Sequence, residues 1–240
     1  MTGDRSSSFD APVSPPTSHY VPTATVSPAI RFAWRMESPI TTDKSSPLRG
    51  LPRIPLSIGK FTARGHRLFR QLPEDIEWHF IGHLQSNKVK PLLTAVPNIA
   101  MVEGVDNEKV ANNLDRVVSN IGRQPLKVLV QVNTSGEVSK SGINPSECVD
   151  LVKHVKLGCP NLEFAGLMTI GMPDYTSTPE NFKTLLNCRA EICKALGMAE
   201  SQCELSMGMS GDFEQAIEMG STNVRIGSTI FGPRDYSKKK

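Results

Sequence analysis

From Glu74 onward, short apolar runs alternate with stretches whose apolar residues recur every three or four positions, and this alternation restricts the fold more than any other feature. The runs fall at residues 76–82, 99–102, 127–132, 164–170, 205–209 and 224–226. Between them, Val110, Leu114, Val117, Val118 and Ile121 share one helical face after Asp106, and Cys148, Leu151, Val152 and Val155 share another after Pro145. Phe182, Leu185, Leu186, Cys193 and Leu196 follow Thr178 and Pro179, a capping residue and a first-turn proline. Shorter helices are expected around Lys88 and Leu92, despite Pro91, and over residues 212–219. Strands alternating with helices predict parallel βα units. The strands are short, apolar and end in small residues, which favours a barrel over an open sheet. The expected class is therefore α/β, a TIM-barrel-like (β/α) fold in which six strands are recognisable.

In such a barrel, chemistry gathers at the C-terminal ends of the strands. Gly82-His83, Asn133-Thr134, Thr169-Ile170-Gly171, residues 206–210 and Gly227-Ser228 occupy those ends. The segments Leu205-Ser206-Met207-Gly208-Met209-Ser210-Gly211-Asp212 and Val224-Arg225-Ile226-Gly227-Ser228 are apolar runs ending in hydroxyl-bearing residues and glycine. Glycine lets a ligand approach the backbone, and a run of N–H groups at a turn receives an anion, so both segments read as phosphate-holding turns. Arg225 is the single charge inside an apolar strand; it faces either a ligand or a carboxylate such as Glu204. His79 and His83 lie at the end of one strand, where a barrel histidine is more often structural than ligand-binding. Met207 and Met209 read as packing residues.

Residues 1–50 differ in kind. Pro12-Val13-Ser14-Pro15-Pro16-Thr17-Ser18 typifies a Ser/Thr/Pro-rich stretch with no sustained period, and such a chain cannot bury enough apolar surface to offset its ordering entropy. It is expected to be disordered, with an organelle transit peptide as the alternative role, weakened by Asp4 and Asp10. Residues 51–70 form a divergent transition in which only residues 56–61 read as a strand, and 237–240 form a basic tail. With 27 basic against 24 acidic residues, no basic field argues for nucleic acid. The five cysteines show no C-x-x-C spacing and read as reduced thiols of a cytoplasmic protein. No apolar run approaches the roughly 18–20 residues of a membrane span.

Trp78-His79-Phe80-Ile81-Gly82-His83-Leu84-Gln85-Ser86-Asn87-Lys88, Gly166-Leu167-Met168-Thr169-Ile170, Leu205-Ser206-Met207-Gly208-Met209-Ser210 and Val224-Arg225-Ile226-Gly227 with Ile230-Phe231-Gly232 together resemble the pyridoxal phosphate homeostasis protein family, the single-domain relatives of the alanine racemase N-terminal barrel. The resemblance runs over residues 71–236. It implies a (β/α)8 barrel holding the vitamin B6 cofactor pyridoxal 5′-phosphate, with Ser206, Ser210, Gly227 and Ser228 at the phosphate, Arg225 at the pyridine nitrogen, and His79 or His83 near the ring. It further implies a cytoplasmic, monomeric or weakly dimeric protein that buffers the cofactor or delivers it to acceptor enzymes.

The family's cofactor is bonded to a lysine ending the first strand, and a Gly-Glu-Asn-Tyr motif follows at the second. Neither is present. The lysine's position falls within residues 32–42, where the sequence shows no strand and no lysine, as in a truncated isoform or a faulty gene model. Lys60 and Lys140 are the replacement anchors to consider. A barrel lacking two adjacent strands would expose two unpaired edges and be marginally stable. Two alternatives remain open: an amino-acid racemase-like enzyme, which would need a tyrosine across the ring, and a defective isoform without cofactor.

Overall fold

The computed structural model describes residues 31–32, 34–36, 56–58, 76–137, 141–171 and 178–232. All strand pairings are parallel. Six βα units carry the fold: β4 (Trp78–Phe80) with α1 (Val89–Ala95), β5 (Ile99–Val105) with α2 (Glu108–Asn120), and β6 (Leu126–Gln131) with α3 (Cys148–Gly158). Then follow β7 (Leu162–Met168) with α4 (Thr178–Leu196), β8 (Glu204–Met209) with α5 (Phe213–Glu218), and β9 (Asn223–Arg225) with the one-turn α6 (Ser228–Phe231). Each strand and long helix expected from periodicity is present. Pro91 is tolerated because it sits in the first turn of α1, where its missing N–H would have no intrahelical partner. The last helix, α6, was not legible in the sequence.

The sequence reading that residues 32–42 contain no strand needs correction. Short strands form at β1 (Arg31–Phe32), β2 (Trp34–Met36) and β3 (Leu56–Ile58), so the expected disordered segment includes two of them. The sheet order is β1-β9-β8-β7-β6-β5-β4-β3-β2. β3 pairs with β4 and β1 with β9, covering both edges that six strands alone would leave open. β2 pairs with β3, and only Ala33 separates β1 from β2, so the row of strands returns on itself. An open edge offers unpaired N–H and C=O groups to any extended segment, and this long-range pairing has no local sequence signature. No helix is described between β2 and β4, and Lys60 and Lys140 lie outside the described residues.

The strand side chains divide into two sets. Val102, Val105, Val128, Val130, Phe164, Leu167, Leu205, Met207, Val224 and Ile226 join the helix residues in one large core. Ile81, Met101, Leu129, Ala165 and Met168 form a separate cluster lining the barrel interior. Phe164 and Leu167 belong to the outer set although they are three apart, which strict alternation forbids. A bulge at Ala165 solves this: Val128 pairs with Phe164, and the next residue, Leu129, pairs with Gly166.

Local signals hold the helices as expected. The Asn107 side chain accepts from Val110 N–H at 2.9 Å and caps α2. Asn107→Ala is expected to lower stability by about 1 kcal/mol in urea unfolding. No change would mean that another group satisfies that N–H.

Candidate functional site

The interior carries a polar layer above its apolar cluster. His79, Glu103, Gln131, Ser206, Asn223 and Arg225 are all buried, one each on β4, β5, β6 and β8 and two on β9. Glu103 on β5 is the hub. His79 Nδ1 lies 2.7 Å from Glu103 Oε1, the Ser206 hydroxyl donates to Oε2 at 2.6 Å, and Asn223 Nδ2 donates to Oε1 at 3.2 Å. β5 and β8 are not neighbours in the sheet, so the Ser206 bond must cross the barrel interior.

Burial alone would raise the Glu103 carboxyl, but the His79 hydrogen bond and field, the Arg225 guanidinium and the Ser206 hydroxyl outweigh it. The group therefore stays below the ordinary glutamate range and is ionised. An ionised carboxylate only accepts, so His79 carries the proton on Nδ1.

Arg225 Nη1 donates to the Ser206 oxygen at 2.8 Å, and Nη2 donates to the Thr169 carbonyl at 2.6 Å. Ser206 thus gives its proton to Glu103 and a lone pair to Arg225. Burial pulls the guanidinium down, and Glu103 with Asp212 opposes that pull. The balancing carboxylates are Glu103 and Asp212 rather than Glu204, the partner that the sequence offered.

The Ser206 hydroxyl is fully buried and engaged on both sides, by Glu103 and by Arg225. Ser210 lies in the turn after β8, where its Oγ accepts from Gly227 N–H at 3.0 Å. Met209 N–H donates to Asp212 Oδ1 at 2.6 Å, which shapes the loop leading into α5. A Cβ built on Gly227 meets nothing within 4 Å, so the concave side of the turn is open. Ser228 begins α6 beside it.

His79 is satisfied in the interior, the structural role that the sequence favoured. His83 is different: its side chain is 57% exposed, and its Nδ1 lies 3.7 Å from Asp106 Oδ2. His83 lines a cavity of about 140 Å³ together with Gln131, Asn133, Thr134, Thr169 and Gly171. Three of the expected strand ends thus converge there. The cavity adjoins the arginine site through Thr169, whose hydroxyl lies 2.8 Å from that of Thr134 and whose carbonyl holds Arg225.

Glu103, Asn223 and Gln131 were missed by the sequence reading. The available signal was a single polar residue between apolar neighbours on a strand, as in Val102-Glu103-Gly104-Val105. Among the described residues, no His, Cys, Asp and Glu cluster could hold a metal, and no helix is long and apolar enough to cross a membrane.

Residues 77–235 match the family described as alanine racemase, N-terminal domain. The pyridoxal phosphate homeostasis proteins of Mus musculus and Homo sapiens are 54% identical over 181 residues and 55% identical over 169 residues. These matches cover 74% and 69% of this chain, and 65% and 61% of those proteins' own lengths. PipY of Synechococcus elongatus PCC7942 has been solved without PLP, at 25% identity and a TM-score of 0.69, covering 87% of this chain and 95% of that one. It has also been solved with PLP bound, at 24% identity and a TM-score of 0.68 over the same shares. With two thirds of its length in the family domain and its nearest-matching stretches in order along the barrel, this chain belongs to the alanine racemase N-terminal domain family and, within it, to the pyridoxal phosphate homeostasis proteins.

Proposed function

We propose that this chain binds pyridoxal 5′-phosphate and serves its intracellular homeostasis, buffering it or passing it to acceptor enzymes, without turning over a substrate. The observation that carries this reading is Arg225, buried and held by two hydrogen bonds beside the open turn of Ser210, Gly227 and Ser228. The residues fit the cofactor on that side. The Ser210 hydroxyl and the Ser228 N–H would hold the phosphate, with the Gly227 N–H, which donates to Ser210 Oγ, orienting that hydroxyl, and Arg225 would face the ring nitrogen. The bound cofactor supplies a reactive aldehyde and an electron-withdrawing ring. A permanent cation at the ring nitrogen keeps it unprotonated and weakens that electron withdrawal, which favours binding over amino-acid chemistry.

The fit is one-sided, because among the described residues the hydrogen-bonded network contains no lysine. Retention here rests on phosphate and ring contacts, with Lys60 and Lys140 as the anchors to test. Covalent attachment adds a retention that hydrogen bonds do not replace, so binding by this chain is weaker and reversible. The racemase reading would need a tyrosine opposite the ring; Tyr20, Tyr175 and Tyr236 all lie outside the described residues.

The test is to incubate the full chain with pyridoxal 5′-phosphate, reduce with borohydride and map labelled lysines, alongside thermal shifts with pyridoxine 5′-phosphate. Stabilisation by the aldehyde-free analogue with little lysine labelling is expected. No stabilisation and no label would leave a defective isoform as the better account, and racemisation of any amino acid would overturn the non-enzymatic assignment.

Gly227 offers a sharper check. Because its Cβ position is open, Gly227→Ala is expected to leave the melting temperature unchanged while weakening pyridoxine 5′-phosphate binding. Equal loss of stability and affinity would show that the glycine is needed for folding instead.

A further inference from the structure

We infer that Glu103 is the positioning residue of the ring-facing site: through Ser206 it fixes where the Arg225 guanidinium points, while touching no ligand itself. This assignment rests on the reading of Arg225 as the ring contact. Glu103 is completely buried on β5, on a strand not adjacent to β8 or β9, yet it draws hydrogen bonds from both. A carboxylate at this point accepts the Ser206 proton, and the serine can then offer its oxygen to Arg225 Nη1 at 2.8 Å. With Nη2 tied to the Thr169 carbonyl at 2.6 Å, both terminal nitrogens are anchored and the plane of the guanidinium is set. His79 and Asn223 hold the other carboxylate oxygen, so Glu103 cannot swing away from the serine.

The relay has a direction. An amide in place of the carboxylate can present a donor where Ser206 now donates, and the serine must turn. Glu103→Gln preserves shape while breaking that direction, and Ser206→Ala removes the bridge while leaving both charges in place. The second variant is needed because loss of a buried anion can itself prevent folding.

The full-length chain and both variants are titrated with pyridoxine 5′-phosphate, which has ring and phosphate, and with inorganic phosphate as competitor. The ultraviolet band of the bound analogue is recorded as well, since it reports the protonation of the ring nitrogen. Each variant that folds is expected to lose about tenfold in affinity for the ring-bearing ligand, the size of one hydrogen bond to a charged group. Its affinity for inorganic phosphate should stay within about twofold of the unmodified chain's, below the tenfold step of one such bond, and the band should shift. Equal losses for both ligands, or no loss with an unshifted band, overturn the positioning role. Failure of the unmodified chain to bind either ligand overturns the site reading on which the role rests, and the role with it.

Discussion

Replacing Glu103 by alanine is expected to lower the unfolding free energy by about 3–5 kcal/mol, the range seen when one member of a buried ionic network is removed. The variant strands three donors inside the barrel: His79 Nδ1, the Ser206 hydroxyl and Asn223 Nδ2. It also removes the carboxylate that does most to balance the Arg225 cation. Urea unfolding provides the measurement, and a loss below about 1 kcal/mol would mean that water enters the interior and takes over those contacts. A double variant, Glu103→Leu with Arg225→Leu, should recover part of the loss, because it removes the unpaired charge together with its partner.

The same carboxylate predicts a pH dependence. Its folded value lies below the ordinary 4.5, so the unfolded chain binds the proton more readily. The stability that Glu103 contributes is therefore fully present above the unfolded value. It is lost as pH falls from there through the lower folded value. Glu103→Ala should flatten that acid limb, whereas an unchanged limb would place the effect in other carboxylates.

The second large effect is expected at Gly166. Its φ is +154°, and a Cβ there would lie 2.1 Å from the Glu204 carbonyl oxygen and 2.5 Å from the Glu204 nitrogen. Both are backbone atoms of the neighbouring strand and cannot rotate aside. Gly166→Ala combines backbone strain with overpacking and should cost about 2–6 kcal/mol. The bulge at Ala165 is what places Leu167 under the helices and Met168 in the interior, so the substitution also threatens the register that delivers Thr169 to Arg225. Preserved stability with a normal thermal transition would show that β7 and β8 can separate locally without loss. Gly208 is under the same two constraints: its φ is +92°, and an added Cβ would lie 2.4 Å from the Ala216 methyl and 3.2 Å from Phe213 Cα on α5.

Much of this was written locally. The six βα units follow from apolar periodicity, whereas Thr178, expected as a cap, is the first residue of its helix and its hydroxyl donates to Asp212 Oδ2 at 3.4 Å. Ser210, Gly227 and Arg225 were legible as a turn with a nearby charge, because glycine and hydroxyl residues follow the apolar runs there. The partners of Ser206 were not legible. Nothing in Leu205-Ser206-Met207 tells whether the hydroxyl faces a ligand or a carboxylate, and the strand's alternation says only that it points inward.

The sequence by itself determined where the strands and long helices lie, since apolar periodicity is a local property, but on β7 the bulge and not alternation decided which residues face the interior. It also determined where the turns fall, since these follow from glycine and capping residues. Only the tertiary structure decided which inward residues meet. Glu103 and Arg225 are far apart in the chain and sit on strands that do not pair, and curling of the sheet brings both to one serine. The pairing of β1 with β9 and of β3 with β4 was decided in the same way, by hydrogen-bonding groups on a distant edge.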